Sequence, residues 1–138
     1  MNAIYTAVAT ANGREGRAVS SDGHIDLPLA HPQALGGNGQ GTNPEQLFAA
    51  GYAACFASAM ALVARQEKID IADASITAEV SIGKDETDGG FGLAVVMRAE
   101  FPDHLQGEAG AALLEKTHAF CPYSKATRGN IQVELVVE

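Results

Sequence analysis

The sequence predicts an α+β fold with a mostly antiparallel sheet, in the order strand, strand, strand, helix, strand, strand, helix, strand. Three observations carry this. An uncharged run over residues 47–64 follows the helix-start signature Asn43-Pro44-Glu45-Gln46. Residues 75–82 and 91–101 alternate apolar and polar side chains at period two on either side of an Asp88-Gly89-Gly90 turn, which is hairpin patterning. Short alternating, β-branched runs also stand near both ends of the chain, separated by turn residues.

Taken in order, residues 3–10 read as a strand around Ile4 and Val8, and Asn12 and Gly13 break it. Residues 17–21 form a second strand and residues 24–30 a third, with Ile25, Leu27 and Leu29 on one side; the Ser21-Asp22-Gly23 turn joins them into an antiparallel meander. Residues 31–42 are rich in Gly and contain Pro32. Their GGNGQGTN stretch lacks both the Gly-Lys-Ser/Thr and the G-x-G-x-x-G pattern of phosphate cradles, so the segment reads as a flexible connection into a helix.

That helix is expected to run from Pro44 to about Gln66, with Arg65 and Lys68 near its negative end. Ala49, Ala50, Gly51, Ala53, Ala54, Ala57, Ser58, Ala59 and Ala61 make it small almost all round, a surface that lets other backbones approach closely. Its uncharged length meets the lower bound for a membrane span. A span normally carries more Leu, Ile, Val or Phe, so a buried central helix of a soluble protein is the better reading. After the second hairpin, Glu108–Phe120 is an amphipathic helix with Ala112, Leu113 and Ala119 as inward candidates, and Cys121 sits at its end because Pro122 cannot continue it. Residues 131–137 close the chain as a strand.

With 138 residues, one domain over 1–138 is expected. A formal net charge of -8, with only nine Lys and Arg scattered singly, disfavours nucleic acid and anionic membrane surfaces as partners. Residues 1–11 have neither the basic head nor the apolar segment of a secretory signal, so the expected location is the cytoplasm. In that reducing setting the two cysteines, Cys55 and Cys121, do not suggest a structural disulfide. Cys55 alone would be read as a small buried hydrophobe, since it lies well past the first turn where a helix dipole lowers a thiol pKa. A reactive Cys55 needs a cation from elsewhere, and Arg14, Arg17, Arg65, Arg98 and Arg128 are the available arginines considered for it. His118, three residues before Cys121, is a weak metal candidate because the other histidines are dispersed.

Two long blocks change this reading. GTNPEQLFAAGYAACF over residues 41–56 and CPYSKATRGNI over residues 121–131 closely resemble the two cysteine motifs of the organic hydroperoxide resistance proteins, the Ohr branch of the Ohr/OsmC superfamily. Tyr5-Thr6-Ala7, Gly13-Arg14-Glu15-Gly16, Val19-Ser20-Ser21-Asp22-Gly23, Leu35-Gly36-Gly37 and Gly89-Gly90-Phe91-Gly92-Leu93 resemble the family's smaller blocks in the family's order. Cys121-Pro122-Tyr123-Ser124 favours this branch over the OsmC branch, which typically has Cys-Pro-Val-Ser there. Lys125 stands where related sequences often have Asn, and reads as a solvent-exposed variation.

The resemblance implies an OsmC-like fold in an intertwined homodimer. It also implies that Cys55 is the peroxidatic cysteine, Cys121 the resolving cysteine, and Arg14 with Glu45 the charged pair beside the thiol. The implied activity is reduction of alkyl or fatty-acid hydroperoxides to alcohols through a Cys55 sulfenic acid and a Cys55–Cys121 disulfide, in an apolar cleft suited to bulky substrates. No bound cofactor is expected; the implied reductant is dihydrolipoamide or a lipoylated protein. Helix geometry adds a constraint: Glu45 and Cys55, ten residues apart on one straight helix, are separated by roughly 15 Å along its axis. Either the helix breaks, with Gly51 the only plausible place, or the two residues serve sites built from different subunits, and the second alternative is expected. A competing reading is a non-enzymatic two-cysteine redox switch or binding protein, which would be oxidised once without turnover. A third, a structural dimer with inert buried thiols, would leave both cysteines unchanged by peroxide.

Overall fold

The computed structural model describes residues 1–138. Residues 1–47 and 48–138 form two compact units.

In the first unit, β1 (Ala9–Ala11), β2 (Arg17–Ser20) and β3 (Asp26–Pro28) form the expected antiparallel meander, with Thr10 opposite Val19 and Ala18 opposite Leu27. The turn between β2 and β3 is closed by the Ser20 N–H donating to the Ile25 carbonyl at 2.9 Å, and the Asp22 carboxylate accepts from the Ser20 hydroxyl and the His24 N–H. Gly23 has φ +79°, a conformation that a Cβ disfavours. The first strand covers three residues, much shorter than the expected residues 3–10. Ile4 and Val8, its presumed apolar face, are exposed.

The Gly-rich segment differs from the flexible connection expected of it. It contains a 3₁₀ turn, Gln33–Leu35, and closes on itself through backbone hydrogen bonds: Ala30 N–H to the Thr42 carbonyl at 3.0 Å and Thr42 N–H to the Pro28 carbonyl at 2.9 Å. Two glycines permit this closeness. A Cβ on Gly37 would lie 2.1 Å from the His31 carbonyl oxygen, and one on Gly41 would lie 2.8 Å from that of Pro28. The loop ends in a capping box, in which the Gln46 N–H donates to Asn43 Oδ1 at 2.9 Å and the Asn43 N–H donates to Gln46 Oε1 at 3.4 Å. It opens α1 (Pro44–Gln66), whose bounds agree with the sequence expectation and which runs unbroken through Gly51.

In the second unit, β4 (Ser75–Lys84) and β5 (Phe91–Glu100) pair antiparallel along their full length, with Val80 opposite Val95. β6 (Gln132–Val137) then joins β5 in parallel, with Val95 beside Val133 and Met97 beside Leu135. A parallel neighbour requires a crossover, which α2 (Glu108–Phe120) and α3 (Pro122–Thr127) supply. The α3 helix goes beyond the sequence expectation, in which Pro122 only ends α2. Proline also fits the first position of a new helix, where its missing N–H costs nothing.

Core packing explains which faces turn inward. α1 buries Tyr52, Phe56, Ala59, Met60, Val63 and Ala64, a stripe at helical spacing, against Val95, Met97 and Ala99 of β5 and the half-buried Ile76, Ala78 and Val80 of β4. On the far side Ala50, Ala54 and Ser58 are exposed. In α2 the inward stripe is Gly110, Leu113, Leu114 and Thr117; Leu113 was anticipated, whereas Ala112 and Ala119 face solvent. Alanine carries too little apolar area to dictate a helix's rotation, and the paired leucines set it instead.

Candidate active site

Arg14 follows Gly13, whose φ of +111° turns the chain between β1 and β2. Its guanidinium donates two parallel hydrogen bonds to the Glu45 carboxylate, Nη1 to Oε2 at 2.9 Å and Nη2 to Oε1 at 2.8 Å. The capping box fixes the first turn of α1 and so the carboxylate's base. This bidentate pair lowers the Glu45 carboxyl below its ordinary value, against an opposing desolvation cost, and raises the Arg14 guanidinium. Glu45 occupies two of five N–H donors, so the remaining donors of the fork are free for another acceptor.

The two sequence-predicted cysteines are brought together within the second unit. Both are free thiols, and their sulfurs are 3.7 Å apart. Cys55 projects from the flank of α1 and is half-buried; Cys121 is wholly buried at the α2–α3 junction, where its N–H donates to the Thr117 carbonyl at 2.8 Å. Burial pushes the Cys55 thiol above its ordinary value and the adjacent Cys121 sulfur adds to the rise, while the backbone N–H of Tyr123 opposes it. Activation therefore requires a further positive charge. Three arginines considered for that role are otherwise engaged: Arg17 with Asp26, Arg98 with Glu79 and Glu138, and Arg128 with the His118 carbonyl at 2.6 Å.

Sequence reasoning missed a buried hydroxyl cluster between α1 and the helix that follows Cys121. Tyr52, Ser124 and Thr127 are buried, and the Tyr52 hydroxyl lies 2.8 Å from Ser124 Oγ and 3.1 Å from Thr127 Oγ1. His118 Nδ1 lies 2.8 Å from the same Ser124 Oγ. Burial and the nearby Arg128 keep the His118 pKa below its ordinary value, with Glu115 opposing. The signal was present: Cys121, Ser124 and Thr127 recur every third residue, which is the inner stripe of a helical turn. Lys125, outside that stripe, is exposed as expected. No three of His, Cys, Asp or Glu gather into a metal-ligand set.

A family model described as OsmC-like protein matches residues 37–136. The organic hydroperoxide resistance protein of Xanthomonas axonopodis pv. citri is 53% identical over 137 residues, spanning 97% of this chain and 94% of the relative. The chain belongs to the OsmC-like family, in its organic hydroperoxide resistance branch. Solved members of that branch share the OsmC-like α+β fold. An organic hydroperoxide resistance protein from Legionella pneumophila superposes with a TM-score of 0.91 at 48% identity, covering 99% of each chain. OhrB of Bacillus subtilis gives 0.89 at 47% identity, covering 99% of this chain and 100% of its own.

Proposed function

We propose that this chain is a thiol-dependent peroxidase that reduces organic hydroperoxides to alcohols. The observation that carries the reading is the Cys55–Cys121 pair: one accessible thiol and one buried thiol, 3.7 Å apart, in a member of the organic hydroperoxide resistance branch. In this reading the Cys55 thiolate attacks the terminal peroxide oxygen, the O–O bond breaks, and the alkoxide leaves and takes a proton to become the alcohol. Cys55 is left as a sulfenic acid. Cys121 then attacks the sulfenic sulfur; its proton and the departing hydroxide form water, and a disulfide remains. A dithiol of the dihydrolipoamide type, free or on a lipoylated protein, returns both thiols by exchange.

Arg14 supplies the positive charge that Cys55 needs and donates its free N–H groups to the peroxide oxygens, while Glu45 holds the guanidinium in orientation. The unbroken course of α1 supports a homodimer in which the Arg14–Glu45 pair of one copy serves Cys55 of the other.

Mass spectrometry after exposure to tert-butyl hydroperoxide tests the proposal. Wild-type protein should lose the mass of two hydrogen atoms as an intramolecular disulfide, and Cys121→Ser should retain an oxygen on Cys55. Repeated consumption of peroxide with dihydrolipoamide distinguishes the enzyme from a redox switch, which would stop after one equivalent. Unmodified cysteines in both proteins would remove the mechanism.

A further inference from the structure

The hydroxyls between α1 and the helix that follows Cys121 form a chain whose direction can be read by counting protons. Thr127 Oγ1 donates its single proton to the Ser124 carbonyl at 3.1 Å. It must then accept from the Tyr52 hydroxyl. With its proton so used, Tyr52 accepts from Ser124 Oγ, and Ser124 in turn accepts from His118 Nδ1–H. The sequence His118 to Ser124 to Tyr52 to Thr127 runs one way, returns to the backbone of Ser124, and leaves no buried side-chain polar atom without a partner. It ties α1 to α2 and α3, the elements that carry the two thiols. Two further bonds brace the same junction: Cys121 N–H to the Thr117 carbonyl, and the Arg128 guanidinium to the His118 carbonyl.

A network of this kind is a costly way to fill a core, because each link removed leaves the others unsatisfied. What it secures is placement. Disulfide formation must close the sulfurs from 3.7 Å to about 2.0 Å.

Resting on the peroxidase reading above, we propose that Ser124, held between Tyr52 and His118, is a positioning residue for Cys121, setting the rate at which the Cys55 sulfenic acid closes into a disulfide and not the rate at which it forms. The step balances as Cys55–SOH plus Cys121–SH giving the disulfide plus water. A corollary is that His118, when neutral, carries its proton on Nδ1.

The test is single-turnover oxidation of the reduced full-length protein by one equivalent of tert-butyl hydroperoxide, sampled by acid quench and mass spectrometry with a dimedone trap. In Ser124→Ala the sulfenic acid should form at the wild-type rate, and the disulfide should appear about tenfold more slowly or worse, with trapped sulfenic acid accumulating. Tyr52→Phe, which keeps the ring and the core volume, should show the same split to a smaller degree, and Thr127→Ser, which keeps the hydroxyl, should restore wild-type closure. Nitrogen NMR of labelled histidine should report the Nδ1–H form of His118 in wild type and its loss in Ser124→Ala, a change that general loosening would not produce. Closure at the wild-type rate in both Ser124→Ala and Tyr52→Phe, or an equal slowing of both steps, overturns the proposal. Wild-type protein that forms no sulfenic acid at all overturns the peroxidase reading beneath it, an outcome visible before any variant is made.

Discussion

Desolvation around Cys55 disfavours the thiolate, and peroxide attack requires the thiolate, so the proposed chemistry turns on the charge brought against that sulfur. If Arg14 brings it, Arg14→Ala should lower the second-order rate of peroxide consumption by about a hundredfold or more with unchanged circular dichroism, and raise the apparent thiol pKa seen in alkylation-rate profiles. Its partner gives a pH prediction. Glu45 is depressed in the folded state, so its contribution to stability is fully present above the unfolded value of about 4.3 and is lost as pH falls through the lower folded value. The melting temperature of wild type should therefore fall more steeply below about pH 4 than that of Glu45→Gln, read by scanning calorimetry. At this scale the sequence was most legible where a residue belongs to a motif, as Cys55 and Cys121 do. It was least legible at Ser124 and Tyr52, whose roles depend on partners 72 positions apart in the chain.

Elements whose limits are set by local chemistry could be read in advance. The cap Asn43, Pro44 at the first helical position and the charge-free run beyond placed α1 correctly at both ends, because each signal acts within a turn of itself. Asn43→Ala should cost about 1 kcal/mol in denaturant unfolding by releasing the Gln46 N–H. Elements decided by distant partners could not be read this way. The parallel placement of β6 beside β5 depends on a crossover whose second helix begins at the very proline that ends the first. The Gly-rich loop was misjudged for a related reason. Glycine reads as freedom in a sequence, yet at Gly37 and Gly41 it serves close backbone contact.

For the molecule as a whole, the α+β class and the largely antiparallel pairing followed from patterning, while membership of the OsmC-like family rests on the family model matching residues 37–136 and on relatives alike over nearly the whole chain. α1 is long and apolar enough to cross a membrane by length and composition, and one face of it is committed to the core of the second unit. The proposed two-copy site makes a prediction that only an assembly can meet. Cys55→Ser, inactive alone, and Arg14→Ala, strongly impaired alone, should regain activity when mixed and allowed to exchange subunits, because one site of the hybrid then holds an intact Cys55 and an intact Arg14. Activity of the mixture no greater than the sum of its parents would place each complete site within one chain.

The proximity of the two sulfurs reaches beyond the chemistry at the thiols. Joining them would staple a loop spanning 66 positions, and in the chain-entropy model such a crosslink stabilises the fold by about 4 kcal/mol. By linkage, the folded pair would then sit roughly 90 mV lower in reduction potential than the same pair in the unfolded chain. In the proposed cycle the protein would be hardest to melt when it is spent, and the proposed reductant would work against the fold itself to reset it.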